Sequence, residues 1–247
     1  MDMKSEVIIF KPSIEAQKLQ RFTSEVLWHF VGRGKTDDER YQTLLSILRT
    51  GLKIGRESST VVYYAPKTDG KNLDKVELDA YPVSCLADIP LKDLPIHEQR
   101  YGQYAIGFHK TSAVNFGFMP VLYAHQFSQG FRRFMTLLEE IGVFLEKTDA
   151  EVSKKYDELR YLLGSITKTG WLSIAPHLDE KVDKEQLQNY YYEREWRSLH
   201  DWGFQPVDVA AIIVPDNRLE SLLKDLEGQL RPFKKTVTMP FSMVHRL

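Results

Sequence analysis

Cysteine is almost absent: Cys85 is the one cysteine in 247 residues. It has no partner within the chain for a disulfide and no companions for a multi-cysteine zinc site. A chain free of disulfides suits a reducing compartment, so a cytoplasmic protein is expected. Long apolar runs are missing too. None approaches the roughly 20 residues a membrane helix needs, so no membrane partner is expected. Met1–Glu6 is charged and lacks the apolar centre of a signal peptide. Net charge is nearly zero, with 33 Lys and Arg against 34 Asp and Glu. That removes any global attraction to nucleic acid or anionic lipid, while leaving room for a local basic groove. Repeats and low-complexity tracts are also lacking. What remains, 43% hydrophobic and 27% charged, is an ordinary globular composition, long enough to bury a core without staples. The loop-like stretches near 32–40, 55–60, 66–75 and 179–188 are too short for linkers, so residues 1–247 are read as a single domain.

Several chemistries are missing as motifs. The seven histidines form no His-x-x-x-His pair and no Glu-flanked metal motif, so no metal is expected. There is no Walker loop. Gly32-Arg33-Gly34 reads as a turn, and Gly164-Ser165 lacks the nucleophile-elbow pattern. Cys85, among apolar and small residues, reads as a buried and inert thiol.

What is present is a mixture of periods. Tyr41, Leu44, Leu45 and Leu48 recur at helical spacing, behind a Thr36 cap and an acidic first turn, and Gly51 follows; this predicts a helix over 37–50. Similar patterns predict helices over 126–147, 150–163 and 217–230. Short β-branched or aromatic runs predict strands at Val7–Phe10, Thr60–Tyr64, Pro82–Leu86, Tyr104–Phe108, Val121–Ala124, Tyr190–Leu199, Val209–Val214 and Thr236–Met239. The alternation is irregular, which points to an α+β mixed sheet with an inserted helical segment at 126–163.

Two segments carry candidate chemistry. The first is Leu27-Trp28-His29-Phe30-Val31-Gly32. The second is Tyr190-Tyr191-Tyr192-Glu193-Arg194-Glu195-Trp196-Arg197. On a strand, Glu193, Glu195 and Arg197 share a face and could position a ribose. The plainer alternative is a solvated face of mixed charge, or, on a helix, a Glu193–Arg197 ion pair. His29, between two aromatic residues, reads by itself as a core histidine with its nitrogens satisfied by backbone.

In order along the chain stand His29-Phe30-Val31-Gly32, Asp38-Glu39-Arg40-Tyr41, Ile47-Leu48-Arg49-Thr50-Gly51-Leu52, Val83 to Leu91, His97, Tyr101 to Phe108, Pro120 to Tyr123, and Tyr192 to Arg197. Together these pieces resemble the AbiGi-type abortive-infection family of bacterial phage resistance. That resemblance implies one gene of a two-gene defence system, labelled an antitoxin, with a cognate toxin or antitoxin as partner. A histidine on a first strand, a helix closing in Ile-Leu-x-x-Gly-Leu and a late glutamate strand also resemble the ADP-ribosyltransferase fold of DarT-type enzymes and poly-ADP-ribose polymerases.

By the second resemblance the cofactor is NAD, used as co-substrate. Glu195 would be the catalytic glutamate, and Glu193 would accept the nucleophile's proton. His29, Ser84, Tyr101 and Gly102 would bind NAD, while Asp88, His97, Arg100 and Arg197 would face the target, with 86–101 as a recognition loop. A carboxylate beside the ribose would stabilise the oxocarbenium character that develops as the nicotinamide bond breaks. The target would be a nucleic acid or a protein, or water in an NAD glycohydrolase. The competing expectation is an inactive antitoxin or regulator that acts by binding a partner.

Overall fold

A computed structural model of the chain describes residues 24–32, 35–55, 59–66, 73–125, 128–145, 150–170 and 194–244. The expected strand Val7–Phe10 and the residues before Arg194 in Tyr190–Leu199 lie outside these. In chain order the elements are β1 (Val26–Phe30), α1 (Asp37–Thr50), β2 (Ser59–Pro66), β3 (Leu73–Ala80), β4 (Ser84–Ala87), α2 (Leu94–Tyr101), β5 (Ala105–His109), α3 (Lys110–Phe116), β6 (Met119–Pro120), β7 (Leu122–His125), α4 (Gln129–Leu145), α5 (Ala150–Ile166), β8 (Thr167–Gly170), β9 (Glu195–Ser198), β10 (Val209–Val214), α6 (Leu219–Glu227), β11 (Val237–Pro240) and a single turn, α7 (Phe241–Val244).

Helix α1 forms as its sequence requires. Thr36 and Glu39 make a reciprocal capping box, three acidic residues sit at the positive end, and Gly51 closes the helix with φ 85°. Seven strands make the main sheet, in the order β11-β10-β5-β1-β4-β9-β6. Every pairing is antiparallel except β10–β11. The protein is therefore a mixed α and β fold with a mostly antiparallel sheet.

Both faces of this sheet are covered. On one, Leu27, Leu86, Ile106, Phe108 and Ile212 meet Tyr41, Leu44 and Leu48 of α1 and Leu222 and Leu226 of α6. On the other, Trp28, Ala105, Ala211 and Ile213 meet Leu94 of α2 and Phe241 and Val244 of α7. Burial on two sides explains why β1, an unbroken run of large apolar residues around His29, shows no period of two.

Helices α4 and α5 account for the expected insertion at 126–163. They pack on each other through Met135, Leu138 and Tyr156. Helix α5 also lies on the hairpin of β2 and β3, and β8 continues directly from it to pair in parallel with β7. The stretch 66–75, expected as a loop, corrects in part to strand. Charge at alternate positions of β3 hides a partner that matches it residue for residue, from Ser59 opposite Ala80 to Pro66 opposite Leu73. The expected recognition loop over 86–101 corrects as well. Leu91–Asp93 forms a 3-10 turn and α2 follows, with Pro95 at the start of the helix, where its missing N–H costs nothing.

Candidate functional site

The sheet edge formed by β4, β9 and β6 gathers the charges. Glu195 and Arg197 are two apart on β9 and so share a face. Opposite them on β4 stand Ala87 and Cys85. Arg197 donates from Nε to Glu195 Oε1 at 2.8 Å, and Lys168 of β8 donates from Nζ to Oε2 at 2.7 Å. Glu195 is 8% exposed and Arg197 9%. Arg197 Nη1 donates onward to the carbonyl oxygens of Ser165 at 2.7 Å and Thr167 at 3.2 Å, at the C-terminal end of α5. That end carries the negative pole of the helix, a favourable place for a guanidinium. The Glu195 N–H donates to the Tyr123 hydroxyl of β7 at 2.5 Å. A carboxylate thus ties two neighbouring strand pairs and a helix end together.

The electrostatics follow from this packing. Burial alone would raise the Glu195 pKa, but the charges of Arg197 and Lys168 outweigh it and hold the carboxyl at about 2. Burial, followed by the charge and hydrogen bond of Glu195, pushes the Cys85 thiol well up, so it stays protonated.

His29 belongs elsewhere. Leu27 and Val31, two residues to either side, both lie in the larger core, and Trp196, between Glu195 and Arg197, packs against that same core. The pleat therefore puts His29 on one face of the sheet and Glu195 on the other. His29 Nδ1 sits 3.0 Å from the Cys85 carbonyl oxygen, which can only accept, so the proton is on Nδ1. Burial of the ring lowers the imidazole pKa below its ordinary 6.5, against the upward pull of that bond.

The remaining expected site residues disperse. Ser84 is on the His29 face, opposite Ser198, with a buried hydroxyl that has no hydrogen-bond partner among the described residues. Asp88 is buried and accepts from Lys110 Nζ at 2.7 Å and from the Ser24 N–H at 2.8 Å, which secures the start of β1. Tyr101 stacks on Phe30 with centroids 4.9 Å apart. Gly102 ends α2 with φ 81°, and a side chain there would run into the Arg40 guanidinium. His97 and Arg100 lie on α2, and Glu193 lies outside the described residues. The structure thus brings together Glu195 and Arg197, and puts Ser84 and His29 on one face. Asp88, Tyr101 and Gly102 each meet different partners.

Sequence reading, which put Tyr123 in the core and read Cys85 as a buried inert thiol, passed over Lys168 and the bond to the Tyr123 hydroxyl. Nothing in Thr167-Lys168-Thr169-Gly170 marks the lysine as an ion-pair partner. It passed over a cleft as well. A cavity of about 620 Å³ opens between Asp37 and Arg40 of α1, Glu98 of α2, Gly102, Gln103, Tyr104, Pro215 and Asn217. Neither Glu195 nor His29 is among these walls. One side of it is braced by Asp37, which accepts from the Tyr104 hydroxyl at 2.6 Å and from Arg218 Nε at 2.7 Å.

Among the described residues no helix is long and apolar enough to cross a membrane. One family model, described as "Putative abortive phage resistance protein AbiGi, antitoxin", matches residues 53–216. The matched span runs from before β2 to just beyond β10. It takes in the Glu195 cluster and leaves out β1 with His29. No curated protein and no solved structure matches the chain.

Proposed function

The chain belongs to the AbiGi family of abortive phage resistance proteins, and from that premise we propose that it acts as the antitoxin or regulator of a two-gene defence system, by binding its partner rather than by turning over NAD. A phage-defence role follows from the family, and the family description speaks of an antitoxin. The observation that carries the reading is the state of Glu195. Both carboxylate oxygens are occupied by Lys168 and Arg197, the group is buried, and His29 stands on the opposite face of the sheet. A glutamate that stabilises a ribosyl cation needs a free oxygen directed at the sugar. This one is spent on holding β9, β8 and the end of α5 together.

The test pairs two measurements. The protein is co-produced with the product of the gene beside its own, and growth and co-purification are followed. Purified protein is separately incubated with adenine-labelled NAD, alone and with DNA, RNA and cell lysate. Relief of the neighbour's toxicity, a stable complex and unconsumed NAD are expected. Label transferred to a macromolecule, or free ADP-ribose released, would overturn the reading in favour of an ADP-ribosyltransferase or an NAD glycohydrolase.

A further inference from the structure

Helix α4 has two apolar faces, and α5 covers one of them. Phe131, Met135, Leu138 and Leu145 pack within the helix pair, and Gly142 lets Tyr156 approach closely. The second face is open. Phe134, Leu137, Ile141 and Phe144 are 48%, 40%, 50% and 70% exposed. Their spacing of three, four and three is the heptad spacing of a coiled-coil seam. An apolar stripe running most of the length of a helix marks an interaction surface.

From this geometry we infer that α4 is a self-association surface, on which a second copy of the chain lays its own α4 antiparallel about a two-fold axis. Two observations select this occupant. The first is charge. Arg133 and Glu140 flank the stripe and are more than half exposed, with a pairing inside the chain of only 3.8 Å. An antiparallel helix centred between residues 135 and 136 brings Arg133 beside Glu140 of the second copy, and symmetry repeats the pair. The second is shape. The same register puts Phe134 over Leu137 of the second copy and Ile141 over its Gly130. A side chain at Gly130 would meet nothing closer than Ser128 Oγ at 3.9 Å, so there is open space to receive the isoleucine. The other register that stacks the stripe, Phe134 on Phe144 and Leu137 on Ile141, sets Glu140 against Glu140 and is disfavoured. The inference does not rest on the antitoxin reading.

The experiment is the oligomeric state of the full chain, by sedimentation equilibrium over a range of concentrations. The wild type is expected to dimerise. Phe134→Asp combined with Ile141→Asp is expected to be monomeric with an unchanged circular dichroism spectrum, since both positions face solvent in the monomer. Arg133→Glu is expected to weaken the dimer at least tenfold, and Arg133→Glu with Glu140→Arg to restore it, because the exchange re-forms the opposite-charge pair between the two copies. A wild type that stays monomeric at all concentrations, a dimer indifferent to Phe134→Asp, or a double reversal that fails to restore association would each overturn the inference. So would a monomer that uses the stripe to bind the neighbouring gene's product.

Discussion

At the scale of the residue, Glu195 and His29 both lose their stabilising effect as pH falls, in different windows. Glu195 has a folded pKa of about 2 against an ordinary value of 4.5. A carboxyl depressed by folding adds stability above the unfolded pKa, and that stability is lost as pH falls through the folded one. The change Glu195→Gln keeps the shape and removes the charge, leaving the buried Arg197 and the half-buried Lys168 without their anion. A loss of about 3 kcal/mol at pH 7 is expected by denaturant unfolding, the scale for breaking a buried ion pair. The gap between variant and wild type should narrow as pH falls from 4.5 toward 2. A gap that does not depend on pH would mean the ion pairs contribute nothing. His29 also has a lowered pKa, but as a base. It is neutral in the fold and becomes protonated on unfolding below 6.5, so its contribution is present above pH 6.5 and declines below it. Nitrogen–proton correlation spectra should show His29 neutral at pH 6.5 with its proton on Nδ1. An Nε2 tautomer or an ordinary titration would contradict the bond to the Cys85 carbonyl.

At the scale of the element, what was legible in the sequence is what local physics decides. Helix α1 emerges at its expected limits, 37–50, because cap, acidic first turn, apolar stripe and terminal glycine all lie within the segment. Strand β10, apolar and bounded by turns, does as well. By contrast β8 owes its pairing to β7, far away in sequence, and the Glu195 cluster draws on β9, β8 and the end of α5. Two of its members were legible as residues two apart on a strand, but the lysine that neutralises one of them was not. Gly164 of α5 illustrates the same tension between local and tertiary rules. Propensity alone predicts that Gly164→Ala stabilises a helix by about 1 kcal/mol. A Cβ there would lie 2.6 Å from the backbone oxygen of Asp79, which belongs to a paired strand and has little freedom to move. The substitution should instead cost about 1–3 kcal/mol in thermal or denaturant unfolding. A gain would show that α5 does not press on β3 at this point.

At the scale of the whole molecule, the sheet edge and the helix pair are joined through few groups, and Arg197 is central among them. Its guanidinium binds Glu195 on its own strand and the carbonyls of Ser165 and Thr167 where α5 ends and β8 begins. The large core of β1, β5 and β10 with α1 and α6 makes no use of this arginine. Two regions coupled through a local polar joint should open with different free energies. The change Arg197→Met preserves bulk and apolar stem while removing every one of those bonds, and leaves Glu195 with Lys168 and the Cys85 thiol. Hydrogen exchange is then expected to quicken across the last turn of α5, β8 and β9, by on the order of tenfold to a hundredfold for a loss of about 1.5–3 kcal/mol in local stability. Amides of β5 and β10 should keep their protection. Uniform loss of protection through all strands would mean that the sheet and the helix pair unfold as one unit. Unchanged exchange in α5 and β8 would mean that Tyr123, Lys168 and the packing of α5 on β3 suffice to hold them, and that the arginine serves a different purpose.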